Sequence, residues 1–257
     1  MQKLYLNDGK RVYFYHLKSS YMVILITGAS KGIGAALAKS LTESDHKVLL
    51  VSRNKIELEK VAEACNRKAG KTLAYAIPFD LTDLTDLETE FVSRIRTYTK
   101  TIDALFNNAG QLIRKPFEEV GIQDARNMFE VNLFVPAQLI RICLPFMSES
   151  TLKHVVNVTS MGGFQGSEKF SGLSYYSASK AALGNLTECL AVELKEKSVK
   201  VNALAIGAVQ TEMLAEAFPD YKAPLEPSQM AEFLKWFILE GAGYFNGKIL
   251  PVSLSTP

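Results

Sequence analysis

From residue 22 onward the chain alternates short apolar runs with longer amphipathic stretches. The runs occupy residues 22–27, 47–51, 72–78, 102–106, 154–159, 199–205 and 248–252. Near-continuous apolar runs of this length, rather than alternating ones, are expected of strands buried on both faces, as in a parallel sheet. The stretch after Gly32 carries Ile33, Leu37, Ala38 and Leu41, a spacing that predicts a helix with one face on that sheet. Strand and helix signals in regular alternation, joined by short connections without a Ser/Gly linker or repeat, predict one α/β domain over residues 22–257. Its expected core is a single doubly wound, parallel, seven-stranded sheet with helices on both faces.

Residues 1–21 stand outside this pattern as an N-terminal extension. Leu4-Tyr5-Leu6, then Asn7-Asp8-Gly9, then the aromatic-rich stretch 11–17 read as a small β-hairpin. The alternative is a leader ahead of the first core strand.

Composition narrows the function classes. Hydrophobic residues make up 47% and charged residues 22% of the 257, ordinary for a globular enzyme. A net charge of +2 with no basic stripe argues against nucleic-acid partners. No apolar run approaches the length of a membrane span, so no membrane partner is expected. Cys65, Cys143 and Cys189 are sparse and form no CxxC pair; they read as buried thiols in a reducing compartment. His16, His46 and His154 are too dispersed for a zinc set. With no signal-peptide h-region at the start, the expected location is cytoplasmic.

Candidate chemistry begins at Thr27-Gly28-Ala29-Ser30-Lys31-Gly32-Ile33-Gly34, between the first core strand and the first helix. Gly28, Gly32 and Gly34 permit a tight turn and close approach of backbone to a pyrophosphate, and the helix N-terminus supplies free N–H groups. A bare Gly-rich turn is the bland alternative, made weaker by this placement. The TGxxxGxG spacing, Asn107-Asn108-Ala109-Gly110 at the end of the fourth strand, and Tyr176-Ser177-Ala178-Ser179-Lys180 together resemble the short-chain dehydrogenase/reductase family. The resemblance runs from Met22 to about Ser253. It implies a Rossmann-like fold and an oxidoreductase acting on CH–OH/C=O groups.

Tyr176 and Lys180, four residues apart at the start of a long helical stretch, share a helix face. Carbonyl reduction needs a proton donor beside the oxygen that gains charge, and a neighbouring ammonium, helped by the positive oxidised nicotinamide, is expected to lower the phenol pKa. Ser160, at the end of the strand 154–159, can hydrogen-bond a substrate oxygen, with Thr159 as a less favoured substitute. The resemblance assigns Asn132, Ser160, Tyr176 and Lys180 as the catalytic set, with Asn132 helping to hold a water behind the lysine. Read alone, Asn132 is equally a satisfied buried amide. Two departures stand out. The loop 162–174 is longer than usual in the family, and Ile206-Gly207 replaces the family's Pro-Gly. Gly207, Val209 and Thr211 keep their expected places beside the nicotinamide.

An acidic residue at the end of the second strand would repel a 2′-phosphate. The sequence there is Ser52-Arg53-Asn54, and Lys31 adds a second cation; together they point to NADP(H). Gly28, Ser30, Gly32, Ile33, Gly34, Asp80, Leu81, Asn108, Ala109, Gly110, Tyr176 and Lys180 complete the cofactor contacts that the resemblance implies. Met213, Leu214, Phe218 and Tyr221 after Thr211, with Phe164, Phe170 and Tyr175 in the extended loop, suggest a hydrophobic ketone or aldehyde as the small-molecule substrate. Glu212, Glu216 and Asp220 disfavour a phosphopantetheine-borne acyl group. The alternatives are 3-oxoacyl-carrier-protein reductase and, from another class, a non-catalytic NADP sensor. Family members often form homodimers or homotetramers.

Overall fold

The computed structural model describes residues 4–5, 11–12, 21–83 and 87–254. Leu4–Tyr5 (β1) pairs antiparallel with Arg11–Val12 (β2), in a two-stranded sheet of its own. The Asn7-Asp8-Gly9 turn between them lies outside the described residues.

The seven apolar runs become β3 (Val23–Thr27), β4 (Lys47–Ser52), β5 (Ala74–Pro78), β6 (Ala104–Asn107), β7 (His154–Ser160), β8 (Lys200–Ile206) and β9 (Ile249–Val252). They form one sheet in the order β5-β4-β3-β6-β7-β8-β9, and every pairing in it is parallel. The chain winds outward from β3 to β5, returns to the middle, and winds the other way from β6. The switch therefore falls between β3 and β6, where two adjacent crossovers leave in opposite directions and open a crevice.

Strand alternation distributes the core to both faces. Val23 and Leu25 point into one cluster with Leu49, Leu105, Val155 and Val201; Ile24 and Ile26 point into the other with Leu50, Phe106, Val156 and Leu204. The second face is covered by α1 (Gly32–Glu43), α2 (Lys55–Ala69) and α8 (Pro227–Glu240), through residues such as Leu37, Leu41, Leu58 and Phe237. The first face is covered by α3 (Val92–Tyr98), α5 (Val135–Met147) and α6 (Ser174–Glu193), through Ile95, Leu139, Cys143 and Ala191. Two shorter helices, α4 (Ile122–Phe129) and α7 (Glu212–Ala217), complete the chain.

Helix ends follow local chemistry. Asn54 caps α2 by accepting the Glu57 N–H at 3.2 Å, and Gly70 closes it with a left-handed φ of 69°. Glu226 and Gln229 form a capping box at the start of α8.

Two sequence expectations are corrected. Helix α4 continues through a π turn at Glu130–Phe134 into α5. The combined helix Ile122–Met147 is long and apolar enough to cross a membrane by length and composition, with 44% of its most apolar window buried. Val135, Leu139, Ile140, Cys143 and Phe146 face the sheet core, as the apolar stripe of a sheet-covering helix should, while Ile122 and Phe134 are exposed. Cys65 and Cys143 are buried as expected, but Cys189 is exposed.

Candidate functional site

The C-terminal ends of β3 to β8 open into one cleft of about 1110 Å³, lined at one end by the Gly28–Gly32 turn and at the other by Phe170, Leu214 and Phe218. Its walls include Asn108, Ala109, Gly110, Ser160, Tyr176 and Lys180.

The glycine turn is built for close approach. Gly28 has φ +65°, and a Cβ there would lie 2.9 Å from Ala109 Cα. A Cβ on Gly34 would collide with the Gly28 carbonyl oxygen, so the first turn of α1 packs directly under the loop. Asn108 locks this loop to the end of β6: its Nδ2 donates to Thr27 O at 3.0 Å and to Gly28 O at 3.1 Å. Thr27 Oγ1 in turn accepts the backbone N–H groups of Asn108 and Ala109, both at 3.0 Å. Thr27 thus organises the switch point, a role that its place in the motif does not announce. Ser30 accepts from the Ser52 hydroxyl at 2.9 Å, tying the turn to the end of β4.

At the polar end, Lys31 and Arg53 both line the cleft and are exposed. Neither makes an ion pair among the described residues. Leu81 is buried, while Asp80 Oδ1 accepts from the Thr82 N–H and hydroxyl at 3.0 and 2.8 Å. Ile33 lines the cleft and is only partly buried against the sheet core, unlike Leu37 and Leu41.

At the centre, the Ser160 hydroxyl accepts from Gly162 N–H at 3.1 Å and lies beside the Tyr176 phenol. Thr159 Oγ1 is buried without a partner, so Ser160, not Thr159, meets the phenol. Lys180 is 4% exposed and donates to Val158 O at 2.8 Å. Burial lowers its pKa from 10.5 to about 8. For Tyr176, burial pushes the pKa up, and the neighbouring Ser160 only partly opposes this; the lowering expected of the ammonium together with the oxidised nicotinamide belongs to the loaded site. Desolvation of the phenolate is the dominant cause.

Asn132 lies in the π turn and is fully buried. Its Oδ1 accepts from Gln111 N–H at 2.8 Å, and its Nδ2 donates to Gln111 O and Ser179 Oγ, both at 2.9 Å. The satisfied-amide reading therefore describes its side chain. Gly110 keeps this region open, since a Cβ there would lie 3.3 Å from Asn132 Oδ1 and 3.4 Å from Lys180 Nζ. Gln111 and Ser179, which complete this network, carry no sequence signal of their own.

Beyond the centre, Thr211 caps α7 by accepting the Leu214 N–H at 3.3 Å. Gly207 lies so close to Ser253 that any Cβ would collide with its side chain, and buried Val209 bridges to Leu225. Of the expected apolar lining, Phe170, Met213, Leu214, Phe218 and Tyr221 reach the cleft. Tyr175 instead stacks on Phe117, with centroids 5.7 Å apart.

The short chain dehydrogenase family model matches residues 22–222, and the chain belongs to that family of oxidoreductases. An uncharacterised oxidoreductase of Staphylococcus aureus is 30% identical over 210 residues, 82% of this chain and 87% of the relative. A fatty acyl-CoA reductase of Acinetobacter baylyi is 31% identical over 221 residues, 85% of this chain and 73% of its own length. Among solved structures, an Escherichia coli chain complexed with NADPH superposes with a TM-score of 0.81 at 26% identity, covering 91% of this chain and 98% of that one. A 3-ketoacyl-(acyl-carrier-protein) reductase of Brucella melitensis, complexed with NADH, gives 0.78 at 26%, covering 90% and 96%.

Proposed function

We propose that this chain interconverts an apolar ketone or aldehyde with its alcohol, using NADP(H). The observation that carries the reading is one cleft holding the glycine turn, the Ser160–Tyr176–Lys180 group and an apolar far wall in continuous order. A dinucleotide fits the residues present: the glycine turn leaves backbone accessible where any Cβ would collide, and Arg53 and Lys31 are free cations at the end where a 2′-phosphate would lie. NADPH, when bound, supplies the hydride.

The chain's own residues do the rest. Ser160 orients the substrate oxygen and shares its developing charge. Tyr176, held neutral by burial, donates the proton from its phenol oxygen. Lys180, still largely protonated at pH 7 with a pKa of about 8, sets the field on that phenol. Asn132 and Ser179 fix the helix carrying both. The apolar wall and the acyl-CoA reductase relative support a substrate with a hydrocarbon body. Glu212 beside it disfavours the phosphate-bearing arm of an acyl-carrier substrate. A cytoplasmic homodimer or homotetramer fits the exposed Phe134 and Val192, at 50% and 75%, on the helices that covered faces would use.

The test is NADPH oxidation, followed by absorbance, against ketones and aldehydes of graded chain length. Tyr176→Phe is expected to cost ~10²–10⁴-fold in turnover with NADPH affinity nearly intact. Near-normal turnover in that variant would remove Tyr176 from the chemistry. Failure of every carbonyl tested to be reduced, with NADPH bound, would favour the sensor reading.

A further inference from the structure

Three loops meet over the apolar half of the cleft: residues 110–116 after β6, 161–173 after β7, and 207–226 after β8. Arg114 touches the other two. Its Nη1 donates to the carbonyl of Ala217, the last residue of α7, at 2.9 Å. Its guanidinium carbon lies 4.3 Å from the Phe218 ring centroid. Its stem runs over Gly172, where a Cβ would come within 3.0 Å of Arg114 Cγ and where the backbone holds a left-handed φ of +83°. The neighbouring Lys115 N–H donates to Gly172 O at 3.1 Å. Phe218 then meets Phe170 edge-on, with centroids 6.3 Å apart and planes at 72°. Phe170 and Phe218 line the cleft; Arg114 stands behind them.

We propose that Arg114 is a positioning residue that latches the α7 segment to the two other rim loops and so closes the apolar half of the cleft. A guanidinium suits this because it can lie on a ring face while donating in its own plane. The C-terminal carbonyls of α7 are the helix's negative end, which favours a cation. At six residues α7 is too short to hold its shape without tertiary support. Among the described residues Arg114 makes no ion pair, so its contacts are these. The functional consequence rests on the cleft being the cofactor and substrate site; the latch itself can be measured without any ligand.

Arg114→Met keeps the stem on Gly172 and removes the cation and the donor. The first measurement is chymotryptic cleavage of the cofactor-free protein, mapped by mass. Cleavage within residues 213–221 is expected to quicken about tenfold, the scale of one cation–π contact with one hydrogen bond. The second is NADPH release by stopped-flow fluorescence, expected to quicken by a similar factor. Arg114→Lys should recover part of both effects, and Gly172→Ala, which displaces the stem, should reproduce them. Unchanged cleavage at 213–221 would overturn the latch. So would cleavage spread over the whole chain with no rescue by lysine, which marks a general structural role. Faster cleavage with unchanged NADPH release would overturn its part in closing the cleft. Absence of NADPH binding in the unaltered protein would overturn the proposed function while the cleavage result still decides the latch.

Discussion

Replacing Lys180 with methionine should make the protein more stable while disabling it. Lys180 is buried, and burial lowers its pKa from 10.5 to about 8. At ~1.4 kcal/mol per pH unit, keeping this ammonium charged in the folded state costs about 3 kcal/mol. The unfolded chain binds the proton more tightly than the folded one between these two values. The penalty is therefore complete below pH 8, shrinks as pH rises, and vanishes above about 10.5. Methionine matches the length of the stem and carries no charge. It withdraws a donor from Val158 O (2.8 Å in the parent), a loss of about 1 kcal/mol. The expected net gain at pH 7 is about 2 kcal/mol, or roughly 4–8 °C in Tm for a domain of this size. Thermal unfolding by circular dichroism at pH 7 and pH 10 would measure it, with turnover assayed in parallel. A Met variant that is destabilised, or whose advantage over the parent is the same at both pH values, would show that Lys180 carries no desolvation penalty.

Two further outcomes follow from the same physics. Arg53→Asp should weaken NADPH binding by about ten- to a hundredfold, the worth of one charge-assisted hydrogen bond, and leave NADH unchanged or tighter; dissociation constants for both cofactors at two salt concentrations check this, and equal affinities in the parent would make Arg53 and Lys31 plain surface charges. His154, buried with Nδ1 on Ile238 O at 3.0 Å and Nε2 facing Asn202 Nδ2 at 3.1 Å, has its pKa lowered by burial from 6.5 to about 4. The unfolded chain protonates first, so up to about 3 kcal/mol of stability should be lost as pH falls from 6.5 to 4. Its ring proton signals in NMR should stay those of the neutral form at pH 5, and titration near 6.5 would refute the assignment.

The sheet was legible because strands buried on both faces read as unbroken apolar runs, and Leu25 and Ile26 illustrate why: adjacent residues serve opposite cores. The glycine turn was legible because only glycine tolerates its φ and its contacts. What sequence could not supply was tertiary proximity. Nothing local tells that the Asn132 amide is filled by Gln111 and Ser179, whose distances in sequence are 21 and 47. The surroundings of the Lys180 ammonium were hidden for a related reason. Helical spacing places Lys180 on the same face as Tyr176, but the ammonium also turns to Val158 O, a contact from the helix to the interior strand β7. Arg114 carries no motif at all; its meaning comes from where two distant loops happen to lie.

These differences concentrate at one place, the C-terminal end of β7 and β6. There a buried ammonium, a phenol whose ionisation is opposed by burial, and two side-chain oxygens without partners, Thr159 Oγ1 and Asn107 Oδ1, sit within a few residues of one another along neighbouring strands. Among the described residues Glu130 Oε1, in the π turn, is a third such oxygen; other buried polar groups are matched: Asp103 accepts from Val23 N–H at 2.7 Å and from Ser150 Oγ at 2.6 Å, and Asn157 links Asn107 to Thr187 through two bonds of 2.9 Å. At the other end of the same strand the buried polar residue, His154, is hydrogen-bonded through both ring nitrogens, and Val155 and Val156 beside it are apolar. Polar groups held out of water and short of partners cost free energy in the empty protein and are strong when a substrate oxygen or a ribose arrives to complete them. That contrast within one strand marks the C-terminal end of β7, beside Ser160, as a place where the molecule departs from its own rule of satisfying what it buries.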